Sequence, residues 1–342
     1  MKMRRGKEFL RTLGIICLSL IFAIVVISIV SEDPISSLKA FFLGPFTNLY
    51  FFGNMLTLSI PLMFTGLGFS AGFVSGYFNL GLEGQVYFSS LVATILGLQL
   101  GENNPYLFIL ILPVLSFVVG GSVSMISGML KIKHGISEVI SSFLIGIILI
   151  HLANSLIEGP LLDENSPISA TPYLPKDLSF PNFEAFGNLH LGILFAFCSI
   201  LIMDVVLRRS VLGYEMKLVG KNELFSRYGG VKVERILMIS AFLSGGFAGM
   251  AGTVDILGIH HRMVRGFSYG YGWNGIAVAL ISRNRPLFII PASIFFAFLE
   301  VGSQMASIFG DMTPELSKMI QAVVFYLVTA ESIFRFFKGR RR

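Results

Sequence analysis

GYFNLGLEGQVYF, residues 76–88, interrupts a chain that is otherwise close to continuous hydrocarbon. It carries Asn79, Glu83 and Gln85 together with Gly76, Gly81 and Gly84. Apolar runs flank it, at 52–75 and 85–100. In lipid each segment must satisfy its own backbone polar groups, so runs of this kind read as helices. Residues 76–84 are then a polar turn between two of them. Glu83 falls in the first turn of the second helix, where the positive helix end favours a carboxylate by about 0.3–1 kcal/mol. That second run is short of the roughly 20 residues a crossing needs. A second reading therefore stands beside the first. The stretch breaks a helix inside the membrane, and Asn79, Gly81, Glu83 and Gln85 need protein partners or a water-filled path.

The rest of the chain has the same character. Of 342 residues, 54% are hydrophobic and 13% charged, with mean hydropathy +0.76. A soluble domain is about a quarter charged. The composition predicts an all-α polytopic membrane protein, and the alternation of a membrane β-barrel is absent. Apolar runs at 13–30, 52–75, 85–100, 106–130, 136–157, 189–207, 236–258, 268–282, 286–308 and 317–334 predict about ten transmembrane helices. The first run is long and is followed by SEDP rather than a small-residue cleavage site, which favours an uncleaved span. With both termini cytoplasmic, 21 of the 26 Lys and Arg residues fall inside, as the positive-inside rule requires. The formal charge of +6 is mainly this topology signal, and no basic-aromatic nucleic-acid module accompanies it. Arg262 and Arg265 are the misfits. They precede the short run 268–282, so a tilted or partly re-entrant segment stays open there.

Small residues recur four apart at Gly68, Gly72 and Gly76, at Gly120, Ser124 and Gly128, and at Gly245 and Gly249. Such stripes let helices approach closely in lipid. Two segments outside the membrane stand out. Residues 158–188 form an extracytoplasmic loop with Pro160, Pro167, Pro172, Pro175 and Pro181, which excludes one long helix. It is either a connector or a docking surface. Residues 208–235 are cytoplasmic and hold a helix-length piece, YEMKLVGKNELFSRY, stopped by Gly229 and Gly230.

Several chemistries are excluded. Cys17 and Cys198 are far apart and in no CxxC. The histidines have no metal-ligand spacing, and His260 and His261 read as loop or interfacial residues. GKN at 220–222 lacks the rest of a phosphate-binding loop, so this chain should not hydrolyse ATP. No catalytic constellation, metal or resident cofactor is expected. Asp204 and Asp255 read as interfacial. Glu300 lies deeper, where a charge costs about 2.5–3.5 kcal/mol and must face the bundle or a wet path. Tyr271, Trp273 and Asn274 suit either a solute path or an interfacial belt.

Four stretches in order resemble one family. FNLGLEGQ (78–85) resembles the N-x-G-x-E-G-Q signature of ABC-importer permeases for simple sugars and nucleosides. GMLKIKHGISEVISS (128–142), LGYEMKLVGKNELFSRYGGV (212–231) and GYGWNGIAVALISRNRP (270–286) resemble that family's later motifs. The GYE and GYGWNGIAVAL variants look more like its nucleoside branch. The resemblance implies a single permease domain over 1–342 in a bacterial plasma membrane, moving nucleosides, purine nucleosides foremost, or simple sugars. It also implies partners: a cytoplasmic ATPase subunit carrying ATP and Mg, a second permease (homologous or identical), and an extracytoplasmic solute-binding lipoprotein. Residues 208–235 become the coupling segment. Gly213 and Gly220 would stand at turns there, while Tyr214, Glu215, Asn222, Arg227, Tyr228 and Gly229 complete the ATPase contact. Glu223 replaces the family's usual proline, and Phe225 and Ser226 replace a small pair. A different class, an ion-coupled secondary transporter, would use Glu300 as its ion site.

Overall fold

The computed structural model describes residues 20–102 and 104–313, with positions 14, 17, 18, 319, 322, 323 and 326 besides. The basic stretch 1–11, the start of the first apolar run, the tail 335–342 and all but isolated positions of the run 317–334 lie outside the described residues.

The described chain is helical, with isolated β-bridges only. In order the helices are α1 (Leu20–Val30), α2 (Pro34–Leu43), α3 (Leu49–Phe73), α4 (Leu82–Leu100), α5 (Pro105–His134), α6 (Glu138–Glu158), α7 (Gly192–Arg209), α8 (Val211–Lys221), α9 (Glu223–Tyr228), α10 (Val233–Asp255), α11 (Tyr271–Ile281) and α12 (Pro286–Phe309). A π-helical turn, Ile256–His260, prolongs α10. Among the described residues, five helices are long and apolar enough to cross a membrane: α3, α5, α6, α10 with its π-turn, and α12. The chain is thus a multi-pass membrane protein.

Three expectations change. α4 begins at Leu82, three residues ahead of the apolar run at 85–100, with Glu83 in its first turn as expected. α11 has 11 residues and is about 16 Å long at 1.5 Å per residue, half of a hydrocarbon core of about 30 Å. Left-handed Gly266, Tyr269 and Gly270 keep the preceding residues from joining it. α2 belongs to no predicted run, although Asp33 caps it from the Asp-Pro start that marks a helix N-terminus.

The chain forms two compact units. One holds the described parts of Met1–Ser59, Glu184–Gly187 and Ile294–Arg342. Its core is Met55, Ala297, Val301 and Met305, with Phe51, Phe52 and Phe298 packed on it. Asp311 closes the start of α2, accepting hydrogen bonds from the Ser31 and Ser37 hydroxyls and the Glu32 and Asp33 N–H groups.

The other unit is Ile60–Phe183 and Asn188–Ser293. α10 runs through its centre, with every residue from Ser244 to Gly258 buried. The small-residue stripes meet there. A methyl on Gly245 would lie 2.1 Å from the Gly120 carbonyl oxygen, and one on Gly249 2.2 Å from that of Ser116. One on Gly68 would lie 2.6 Å from the Ser244 carbonyl oxygen. The helices therefore touch main chain to main chain, which a side chain at these positions would forbid. The proline-rich loop 158–188 folds onto the far end of α10. Thr171, Leu174 and Phe180 donate their N–H groups to the carbonyls of Met263, His261 and Leu257 at 2.8–2.9 Å. Arg265 pairs with Glu158, and Arg262 lies 4.2 Å over the Tyr173 ring. The misfit arginines thus fasten this loop.

Candidate functional site: two helix starts and a helical hairpin

α3 ends in a hydrogen-bonded reversal. The Tyr77 N–H reaches the Gly72 carbonyl at 3.1 Å and the Gly76 N–H reaches Phe73 at 3.0 Å. Gly76 takes the left-handed φ of 82° that this cap demands. Residues 77–81 are not helical and are largely buried, so their polar groups must find partners. The Leu80 N–H donates to the Ser142 hydroxyl at 3.0 Å, and the Gly81 N–H to the Asn79 side-chain oxygen at 2.9 Å. The Asn79 amide donates to Gln85 (2.9 Å), Ser244 (3.0 Å) and Ser124 (3.3 Å). The Tyr77 hydroxyl donates to the Ser124 carbonyl at 2.9 Å. Residues 77–81 are thus a buried turn between α3 and α4 whose polar groups have protein partners, with Glu83 in the first turn of α4.

Gly81 and Gly84 serve close approach. A methyl on Gly81 would sit 2.4 Å from the Ser142 carbonyl oxygen, and one on Gly84 2.3 Å from the Gly146 Cα, both on α6. Glu83 then reaches a second helix start. The Gly272 N–H, in the first turn of α11, donates to it at 2.6 Å, and the Ser268 hydroxyl donates to its other oxygen. A methyl on Gly272 would lie 2.4 Å from the Glu83 backbone nitrogen. Tyr271, one residue earlier, donates to Asp255 at 3.4 Å, and His260 lies 3.3 Å from the same carboxylate oxygen. The structure so brings together Asn79, Gly81, Glu83, Gln85 and Tyr271.

Asp255 is buried, and His260 is its partner. The π-turn explains the pairing, since its wider winding brings residues five apart onto one face. Asp204 is also buried, paired with Arg208 at 2.9 Å. Trp273 and Asn274 are less enclosed. The indole meets the Phe143 ring edge-on at 6.0 Å, and Asn274 is half-buried. Glu300, in the other unit, accepts from the Gln304 side chain at 3.1 Å.

The segment 208–235 holds two helices, α8 and α9, where one was expected. Asn222 leaves the helical region (φ −159°, ψ 104°) and caps α9 through the Phe225 N–H at 2.9 Å. α8 is capped by Ser210 through the Gly213 N–H at 3.0 Å. Gly229 and Gly230 end α9 as expected. Gly213 and Gly220 are not at turns. Both lie inside α8, where they replace side chains that would strike neighbouring backbone. Met216 and Val219 bury the same side of α8, Glu215 is half-buried, and Tyr214 points out, as do Phe225 and Tyr228 of α9. Arg227 pairs within the chain, with Glu234 at 2.6 Å and Glu223 at 3.8 Å.

Known proteins share this organisation over most of its length. The model of the family described as "Branched-chain amino acid transport system / permease component" matches residues 51–329. The chain is 28% identical over 309 residues to the guanosine ABC transporter permease protein NupP of Bacillus subtilis, covering 89% of this chain and 88% of that one. It is 28% identical over 319 residues to the glucose ABC transporter permease protein TsgB13 of Haloferax volcanii, covering 90% and 83%. It is 26% identical over 311 residues to the nucleoside ABC transporter permease protein NupB of Lactococcus lactis, covering 88% and 85%. The chain belongs to this permease family, among the ABC permeases of the simple sugar and nucleoside kind.

Proposed function

We propose that this chain is the membrane subunit through which an ABC importer moves nucleosides, purine nucleosides foremost, or simple sugars into the cell. ATP would be hydrolysed by a separate cytoplasmic subunit that carries the nucleotide and Mg. The observation that carries this reading is the outer face of α8 and α9. Tyr214, Leu224, Phe225 and Tyr228 are 64%, 69%, 64% and 92% exposed among charged neighbours. Clustered aromatics of this kind mark a protein interface, and the cytoplasmic ATPase subunit is its natural occupant. Similarity to guanosine and nucleoside permeases supports the solute class. So does Glu83. Helix N-termini inside transporters attract anionic groups, and here a carboxylate of the chain already occupies two of them, which suits an uncharged solute.

The distribution of Lys and Arg supports ten crossings with both chain ends cytoplasmic in a bacterial plasma membrane. Two of the crossings would combine a shorter helix with irregular backbone, 77–81 with α4 and 261–270 with α11. A second permease, homologous or identical, would complete the path, and a binding lipoprotein would deliver the solute outside. ATP shifts populations between inward- and outward-open states through whatever α8 and α9 contact differently in each.

The test is reconstitution with the ATPase subunit in proteoliposomes. The double variant Tyr214→Ala, Phe225→Ala should lose ATPase co-purification and ATP-driven uptake together. Unchanged capture and uptake would remove the docking assignment. Uptake by the chain alone under a proton or sodium gradient would instead favour an ion-coupled carrier.

A further inference from the structure

We propose that the turn Val74–Gly76 receives the movement of α8 and passes it into the buried segment 77–81, with Gly220 as the point of contact. The proposal rests on the reading of α8 and α9 as the ATPase-driven element, and it names where that motion enters the membrane domain.

α8 packs on α7 and α10, and its two glycines lie against backbone seven residues apart, about 10.5 Å along its axis. A methyl on Gly213 would lie 2.3 Å from the Val206 carbonyl oxygen and 2.6 Å from the Leu207 Cα, at the end of α7. A methyl on Gly220 would lie 2.1 Å from the Val74 carbonyl oxygen and 3.0 Å from the Val74 carbonyl carbon. From the other side, a methyl on Gly76 would meet the Gly220 Cα at 3.7 Å. Gly220 has no side chain to offer a partner protein. What it supplies is a flush seat against the carbonyl end of α3.

The turn on which it sits is itself well bonded. The Tyr77 and Gly76 N–H groups close it, and the Ser75 hydroxyl donates to the Gly72 carbonyl at 2.9 Å. A push on such a turn displaces it as a piece. The next residues lead straight into the buried network: the Tyr77 hydroxyl on α5, Leu80 and Gly81 on α6, and Glu83 on the start of α11. The chain itself runs from this turn into the network, and α8 also packs on α10, which carries Ser244 of the same network. Coupling of this kind needs a contiguous set of contacts with two arrangements, and the buried turn between α3 and α4 offers the segment that can rearrange.

The experiment uses the full importer in proteoliposomes: this chain, its partner permease, the ATPase subunits and the binding protein. Gly220→Ala and Gly220→Val force α8 off the turn while leaving the aromatic face of α8 and α9 untouched. The ATPase subunit should still co-purify and hydrolyse ATP. Solute moved per ATP should fall at least tenfold, further for Val than for Ala. A merely structural role would reduce the amount of complex without changing that ratio. Hydrogen exchange gives a second readout that needs no variant. Amides 77–82 of the unmodified importer should change their exchange rate when ATP is added. An unchanged uptake-to-ATP ratio, or amides 77–82 indifferent to ATP in an importer that transports, overturns the proposal. If the unmodified chain fails to capture an ATPase subunit at all, the underlying coupling reading has failed instead.

Discussion

The Gly272 N–H donates to a carboxylate oxygen of Glu83 across 2.6 Å, although the two residues stand 189 positions apart. Each lies in the first turn of its own helix, α4 for Glu83 and α11 for Gly272. First-turn N–H groups have no partner within their helix, so this carboxylate takes up one such donor of α11 while lying at the positive ends of both helices. The contact joins the two most distinctive polar stretches of the sequence.

Removing this carboxylate should be costly. Glu83→Ala leaves the Gly272 N–H and the Ser268 hydroxyl buried without a partner, at about 1–3 kcal/mol each. Glu83→Gln keeps an acceptor and should fall between the two. Thermal unfolding in detergent, followed by size-exclusion chromatography, should rank the proteins wild type, Gln, Ala. Equal melting of Ala and wild type would show that α11 does not depend on this contact.

The central helix packing makes a graded prediction. Gly245→Ala would place its methyl 2.1 Å from the Gly120 carbonyl oxygen, a backbone atom that cannot swing away. Overpacking of this kind costs about 1–3 kcal/mol or more. Gly128→Ala meets the Ala241 methyl at 3.2 Å and needs a shift of tenths of an ångström. Expression and melting temperature should drop for the first and stay near wild type for the second.

Asn222 holds the bend between α8 and α9. Asn222→Ala should cost about 1 kcal/mol through the lost cap, whereas Asn222→Asp and Asn222→Ser keep an acceptor for the Phe225 N–H. Hydrogen exchange across 223–228 should speed up in the Ala variant alone. If the Asp variant frays equally, the cap is not what fixes α9.

Acid should loosen the first unit through Asp311. The Ser31 and Ser37 hydroxyls, then the Asp33 and Glu32 N–H groups, hold its carboxyl well below the usual range. Asp33 is lowered as well, through Ser36. A carboxyl lowered on folding stabilises the protein above its unfolded pKa of about 3.9, and this support fades as pH falls toward the folded value. Stability should be flat from about pH 5 to 8 with respect to these groups and decline below about pH 4. Asp311→Asn should flatten the acid limb, and an unaltered acid limb in that variant would dismiss the role.

Much of this architecture could be read from residue types alone. The stripes Gly120, Ser124, Gly128 and Gly245, Gly249 pointed to close helix approach, and they pack against one another. The polar run at 79–85 pointed to an interruption between two helices, and Glu83 to the first turn of the second. What stayed hidden depends on backbone geometry that residue patterns do not carry. His260 meets Asp255 only because α10 ends in a π-turn, so a 3.6-residue period misplaces it. Gly213 and Gly220 suggested turns because glycine is permissive, yet each lies in regular helix and is small for its neighbour's sake. α11 looked like a thin span because its apolar run continues upstream, where left-handed residues end the helix.

The joints at Gly84–Gly146, Gly120–Gly245 and Gly220–Val74 have one property in common. Each is made by main-chain atoms, with no χ torsion at the glycine to absorb a displacement. Side chains at an interface can change rotamer and soak up small shifts. Glycine joints have no such slack, so a strain applied at one helix is delivered to the next at nearly full size. The same economy leaves them unforgiving: a single added carbon is felt as a dislocation of whole helices rather than as a local rearrangement.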